Sequence, residues 1–252
     1  PISSAVKVFN WTATLYKGSI SYQAPMLYAL GFIGLFTIGG LTGLFLASLG
    51  LDVHVHDTYF VVAHFHFVMV GGMVLGYMAG IHFWWPKMTG RMYSDWWSRV
   101  AASIIFVGFF FTFVPQFVLG YNGMPRRYPN YPQAFQVYNV MSTAGATILG
   151  IGYLLPVFYL TLSLFFGEKA GANPWSATGL EWASPSPPPI FNFDESKMPV
   201  VVCGPYEYAI GVDQMGRGLP EPPGPGGMSS SAQHNGTTGT ASPLHKETHV
   251  VG

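Results

Sequence analysis

Four stretches of this chain, residues 25–50, 58–85, 100–120 and 135–166, contain no Lys, Arg, Asp or Glu. Each is long enough to cross about 30 Å of hydrocarbon, which takes roughly 20 residues at about 1.5 Å of helical rise each. A bilayer interior offers no water to backbone N–H and C=O groups, so such runs must close their hydrogen bonds within themselves as helices. Gly39, Gly40, Gly43, Gly71, Gly72 and Gly76 suit close contact between those helices. Residues 1–16 carry the same helical pattern over about two-thirds of a crossing. The expectation is an all-α, polytopic transmembrane helical bundle of four full spans plus one partial N-terminal span. Because the pattern is already running at Pro1, that partial span reads as the second part of a severed helix.

Charge divides the chain in two. Residues 1–167 carry ten of the 22 charged side chains and residues 168–252 the other twelve. Only 9% of residues are charged, against about 25% in an ordinary soluble domain, which excludes a soluble enzyme. Eleven basic and eleven acidic residues cancel, so there is no basic field for a nucleic acid. The lone cysteine, Cys203, can form neither an internal disulfide nor a CxxC pair. The expected organisation is a transmembrane bundle over 1–167, an extended segment over 168–203 rich in proline (Ser184-Pro185-Ser186-Pro187-Pro188-Pro189), and a Gly/Ser/Thr/Pro-rich disordered tail over 204–252. Alternating spans put Lys17, Lys87, Arg91, Arg99 and Lys169 on one side, which the positive-inside rule makes cytoplasmic or matrix, with the tail. The other side holds Asp52, His54, His56 and Asp57 in one loop and Arg126 and Arg127 in another. Two adjacent arginines there oppose the rule, so specific anions are expected to hold them.

His64-Phe65-His66 lies inside an uncharged span, where an ionisable residue is a functional feature by default. At about 100° per residue, positions i and i+2 point about 200° apart, so the two imidazoles cannot chelate one ion. They suit two separate flat iron cofactors, one on each flank, with Phe65 between. Haem iron accepts an axial His readily. The bland alternative is a pair of neutral histidines hydrogen-bonded to neighbouring helices. His82, near Trp84 and Trp85, reads as an interfacial residue in an aromatic belt, and His54 has no assigned role.

The longer run His56-Asp57-Thr58-Tyr59-Phe60-Val61-Val62-Ala63-His64-Phe65-His66 resembles the tenth transmembrane helix of subunit I of the haem-copper oxidases, of the A-type cytochrome c oxidase kind. Val6-Lys7-Val8-Phe9-Asn10-Trp11, Gly39-Gly40-Leu41-Thr42-Gly43, Pro115-Gln116, Gly123-Met124-Pro125-Arg126-Arg127-Tyr128 and Leu180-Glu181-Trp182 follow that family's order. The resemblance runs from Pro1 to about Phe193. It implies that His64 is the axial ligand of the high-spin haem, where O2 is reduced, and His66 one of two axial ligands of the low-spin haem, both haems being of the A type. It implies a Mg2+ (or Mn2+) site at His56 and Asp57 shared with a carboxylate of subunit II, and haem propionate contacts at Asp52, Arg126 and Arg127. Lys7 would match the family's proton-conducting lysine, with Ser4 a hydroxyl beside it.

The resemblance covers only the end of the family's helix 8 and helices 9 to 12. The three copper B histidines, the cross-linked tyrosine and the second low-spin ligand would therefore come from an N-terminal part of subunit I. Other implied partners are subunit II with its dicopper site, subunit III, cytochrome c, O2 and the lipid membrane, bacterial cytoplasmic or mitochondrial inner. Many relatives have His where Phe117 stands, so no polar role is assigned there. A quinol oxidase would share fold and ligands, although such enzymes commonly carry Asn in place of Asp57. A haem-free membrane transporter and an inert assembly fragment stay open as alternatives of another class.

Overall fold

A computed structural model describes residues 2–177, 179–193 and 198; Cys203 and the tail over 204–252 lie outside the described residues. The chain forms α1 (Ile2–Leu15), α2 (Ala24–Ala47), α3 (Leu49–Val55), α4 (Tyr59–Val68), a π-helical segment (Met69–Val74), α5 (Leu75–Thr89), α6 (Asp95–Tyr121) and α7 (Gln136–Phe166). Short 3-10 turns cover Gln133–Phe135 and Leu180–Ala183. Among the described residues there are no strands beyond two isolated bridges. Four helical spans, Ala24–Ala47, Tyr59–Thr89, Asp95–Tyr121 and Gln133–Phe166, are long and apolar enough to cross a membrane, and α1 is the expected partial one, at 14 residues. Their outer faces stay apolar where they are exposed, as at Leu41, Val107, Ile151 and Phe158, which is what hydrocarbon requires.

Local chemistry sets the helix ends. Pro25 sits in the first turn of α2, where its missing N–H costs nothing. Thr58 caps α4, its Oγ1 accepting from the Phe60 N–H at 3.2 Å. Gly90 ends α5 at φ +69°, a left-handed conformation that favours glycine, and its N–H donates to the Pro86 carbonyl at 2.8 Å.

Tyr28, Leu35, Phe67, Ile105 and Phe109 form the buried centre where α2, α4 and α6 meet. The α6–α7 pair is closer than side chains allow except at small residues. A Cβ on Gly108 would lie 2.5 Å from the Leu149 nitrogen, and one on Gly145 would strike the Thr112 nitrogen and the Phe111 carbonyl carbon. In a bilayer, where apolar surface alone gives no drive to associate, such backbone approach supplies the contact.

Residues 59–89 form one rod with the π segment at its middle, carrying Gly71 and Gly72 against Leu35 and Phe36 of α2. One extra residue in a turn re-phases the two halves, so α4 and α5 present different faces than an unbroken α-helix would.

One expectation is overturned. His82 is not interfacial: it has no exposure at all. Its Nδ1 bonds the Met78 carbonyl at 2.7 Å and its Nε2 pairs with the Tyr159 hydroxyl of α7, while the Tyr93 hydroxyl donates to the His82 carbonyl at 3.0 Å. A polar ring finds a complete set of partners on neighbouring elements, which removes the cost of burying it. Burial pushes the Tyr93 phenol well above its ordinary value.

Candidate functional site

The outward-projecting histidines of α4 divide as helical geometry requires. His64 faces α2: its Nδ1 lies 2.8 Å from the Gly39 carbonyl oxygen and 3.1 Å from Thr42 Oγ1, which itself donates to the Gly39 carbonyl at 2.8 Å. A carbonyl only accepts, so the Gly39 contact puts the imidazole proton on Nδ1 and leaves the lone pair on Nε2, the atom that can bind iron. Gly43, one turn beyond Gly39, makes room for the ring: a Cβ there would sit 2.9 Å from His64 Cε1. His64 also lines a cavity of about 450 Å³ together with Ser4, Val8, Phe36, Gly40 and Val68. A group of fixed tautomer at the wall of an apolar cavity is what an axial ligand needs.

His66 faces α6. Its ring stacks on Phe113 of α6 at 4.3 Å and on Phe65 at 4.4 Å between centroids, and its Nδ1 is 2.8 Å from the Val62 carbonyl one turn back. The same reasoning frees Nε2. Residues and chemistry here fit a haem at either imidazole. Phe65 sits between the two histidines in sequence and against His66 in space.

The loop between α3 and α4 is pinned to the loop after α6. The Tyr59 N–H donates to the Met124 carbonyl at 3.0 Å, the Arg126 N–H donates to the Asp57 carbonyl at 2.9 Å, and Thr58 and Pro125 form a bridge. Asp57 adopts φ +53°, a left-handed conformation uncommon for a residue with a side chain, and this turn aims its carboxylate at Arg126, 2.7 Å away. His56 stands between Asp52 and Asp57, 3.6 Å from a carboxylate oxygen of each. The Arg126 Nε is buried with no hydrogen-bond partner, whereas Arg127 is exposed. An orphaned buried guanidinium donor fits a further anionic oxygen such as a propionate. The metal site fits less well: His56 and Asp57 offer two donors, Asp57 is already engaged by Arg126, and among the described residues no group of three His, Cys, Asp or Glu is placed to hold an ion. Further donors to an ion here would have to come from water or from outside the described residues.

Ser4 lines the same cavity as His64, and Lys7 stands on the exposed face of α1 almost one turn further. His54 Nε2 lies 3.0 Å from the Tyr121 carbonyl. Phe117 packs on Phe60 and Phe67, an apolar role that agrees with the absence of a polar one in the sequence. Sequence reading missed the Gly39 carbonyl, Thr42 and Phe113. The Gly-Gly-Leu-Thr-Gly run was visible as a close-contact signal, but which helix it would meet was not.

Fold and site together define a polytopic integral membrane protein whose central rod carries histidines toward two different neighbours. Residues 1–148 match the family described as cytochrome c and quinol oxidase polypeptide I, and the chain belongs to that family. It is 46% identical over 85% of its length to the cytochrome c oxidase subunit 1 of Synechocystis sp., covering 38% of that protein. It is 42% identical over 83% of its length to the Thermostichus vulcanus subunit (38% of it) and 45% identical over 77% to that of Cereibacter sphaeroides (35% of it). The chain thus spans little more than a third of these relatives. A heme-copper terminal oxidase dimer solved by cryo-EM has the same fold over 62% of this chain and 29% of its own, with a TM-score of 0.54 and 24% identity.

Proposed function

We propose that this chain is the C-terminal portion of subunit I of a proton-pumping cytochrome c oxidase, holding axial ligands of a low-spin and a high-spin haem A. The observation that carries the reading is the fixed tautomer of His64: Nδ1 is tied to the Gly39 carbonyl at 2.8 Å, leaving Nε2 for iron at the wall of the cavity. When bound, the haems supply electron transfer and, with copper B from the N-terminal part of subunit I, the centre where O2 is reduced to water. His64 and His66 orient those groups on opposite flanks of α4, each with its ring fixed by a backbone carbonyl, and Phe65 fills the space between. Arg126 and Arg127 bind the propionates, and Asp52 meets one of them through a shared proton or a bridging water, since two bare carboxylates repel; the buried Arg126 Nε supports this because it has a donor left to give. His56 and Asp57 hold Mg2+ or Mn2+ once subunit II adds a carboxylate. Ser4 and Lys7 hand protons toward the cavity that Ser4 shares with His64. Residues 1–167 form the haem-binding bundle, and the segment that follows lies on the cytoplasmic or matrix side; subunits II and III, cytochrome c and O2 complete the system in a respiratory membrane.

The test is an optical spectrum of the assembled complex. His64→Ala should remove the high-spin band and spare the low-spin one, and His66→Ala the reverse, with haem content by pyridine haemochrome falling by about half in each. Unchanged bands in both variants refute the reading. The family description also covers quinol oxidases, and a quinol donor is the second reading. A dicopper centre in the partner subunit and turnover with reduced cytochrome c decide against it; turnover with quinol alone decides for it.

A further inference from the structure

Lys87 closes the last turn of α5, where a lysine ordinarily reaches for water, yet it is 7% exposed. Its Nζ donates to the carbonyls of Ser184 at 2.7 Å, Ala172 at 3.0 Å and Pro185 at 3.3 Å, and lies 5.1 Å from the centre of the Trp182 ring. Among the described residues no carboxylate comes within 4.0 Å of it. Three carbonyls match the three donors of an ammonium, and the indole face adds a fourth wall. At hydrogen-bond distance the charge is solvated by main chain, and the Glu181 carboxylate acts on it only from beyond 4.0 Å.

The carbonyls come from two limbs of one segment, 167–177 and 179–187, that folds across the end of the bundle. Its first limb is tied down by the Met92 N–H to the Glu168 carbonyl at 2.8 Å, the Ala170 N–H to the Gly90 carbonyl at 2.9 Å, and Arg91 Nη1 to the Gly167 carbonyl at 2.8 Å. Trp175 donates to the Phe83 carbonyl at 2.8 Å and packs on the cluster of Tyr93 and Tyr159. Trp182 meets the edge of Phe83 at 5.0 Å. The second limb comes so close to Gly90 that a Cβ there would lie 2.7 Å from Pro187 Cδ. The cluster under Trp175 contains Tyr159, whose hydroxyl pairs with the fully buried His82, and the oxidase reading uses neither residue.

We propose that Lys87 is an internal cation that clasps both limbs of this segment into a cap, sealing this end of the bundle and keeping water from the His82–Tyr159 pair. Without the ammonium, three carbonyl dipoles lose their common donor and repel one another, and the long Ser186 Oγ to Ala172 carbonyl bond, 3.3 Å, is left to join the limbs in its place. The inference does not depend on the haem assignment, and its readouts are independent of oxidase activity.

The test uses the intact membrane complex. In the wild type, acetic anhydride should acylate Lys87 at less than a tenth of its rate in the denatured chain, and diethylpyrocarbonate should leave His82 unmodified by mass spectrometry. In Lys87→Met, which keeps length and removes charge, amide exchange over 168–187 should rise at least tenfold and His82 should become modified, with the optical spectrum unchanged. Gly90→Ala, which leaves the cation in place and displaces Pro187, should raise exchange and His82 labelling as well. Free acylation of native Lys87 overturns the proposal. So does wild-type exchange and His82 protection in Lys87→Met or, should that variant not accumulate, in Gly90→Ala.

Discussion

Gly43→Ala is the sharpest probe of the site, because the acceptor that fixes His64 is a backbone carbonyl and cannot itself be mutated. The added methyl would sit 2.9 Å from His64 Cε1 and 3.6 Å from Nε2. Carbon atoms rest at about 3.5–4.0 Å, so the ring must retreat by about 0.6 Å or more. That movement stretches the 2.8 Å contact from Nδ1 to the Gly39 carbonyl toward the limit of a hydrogen bond. Losing the bond costs about 1 kcal/mol. Overpacking at a well-filled contact adds about 1–3 kcal/mol. The sum, about 2–4 kcal/mol, weakens the hold on a group at His64 by a factor of about 30 to several hundred, at roughly 1.4 kcal/mol per tenfold. The assay is haem content and the absolute spectrum of the purified complex: the high-spin band should fall while the His66-dependent band stays. Gly34→Ala is the control on the same helix, since a Cβ there meets nothing within 4 Å. A Gly43→Ala complex with both bands at the wild-type ratio would refute the account of how His64 is held.

Three other substitutions separate site from scaffold. Gly145→Val drives a side chain into the Phe111–Thr112 backbone, which cannot move aside, so α6 and α7 must part; a loss of about 3 kcal/mol or more and a sharp drop in assembled complex, measured by yield and thermal midpoint, are expected. Arg126→Ala removes a pair whose partner, Asp57, is 57% exposed, so stability should change by less than about 1 kcal/mol while haem retention falls clearly. Equal haem content in wild type and Arg126→Ala would remove the propionate role. Tyr159→Phe strips the partner from His82 Nε2 at a site with no exposure and should cost about 1–3 kcal/mol in thermal unfolding, leaving both haem bands intact.

The spans were legible because uncharged length is decisive: 25–50 became Ala24–Ala47 and 135–166 became Gln133–Phe166 with its leading turn. The opposition of His64 and His66 followed from the angle per residue and holds between α2 and α6. The clasp on His64 was hidden, since its acceptor is a main-chain oxygen on another span and carries no letter in the sequence. The π segment at Met69–Val74 was equally silent: its Gly71 and Gly72 pack on Leu35 and Phe36 of α2, and the sequence does not say which helix those glycines meet. His82 was misread for a related reason: Trp84 and Trp85 beside it mark a depth in the bilayer, not which face of the rod points inward. Lys87 looked like a solvent-side charge, and only the fold of a segment over eighty residues later reveals that it is enclosed.

His64 and His66 share a single turn of α4, each leaning on its own neighbour, and the spacing between them is therefore set by main-chain pitch, about 3 Å along the axis, rather than by tertiary packing. Sliding or tilting of the rod carries both imidazoles together and leaves their separation fixed. On the haem reading proposed above, centres mounted this way would keep a constant gap for electrons to cross even while the walls around each one adjust.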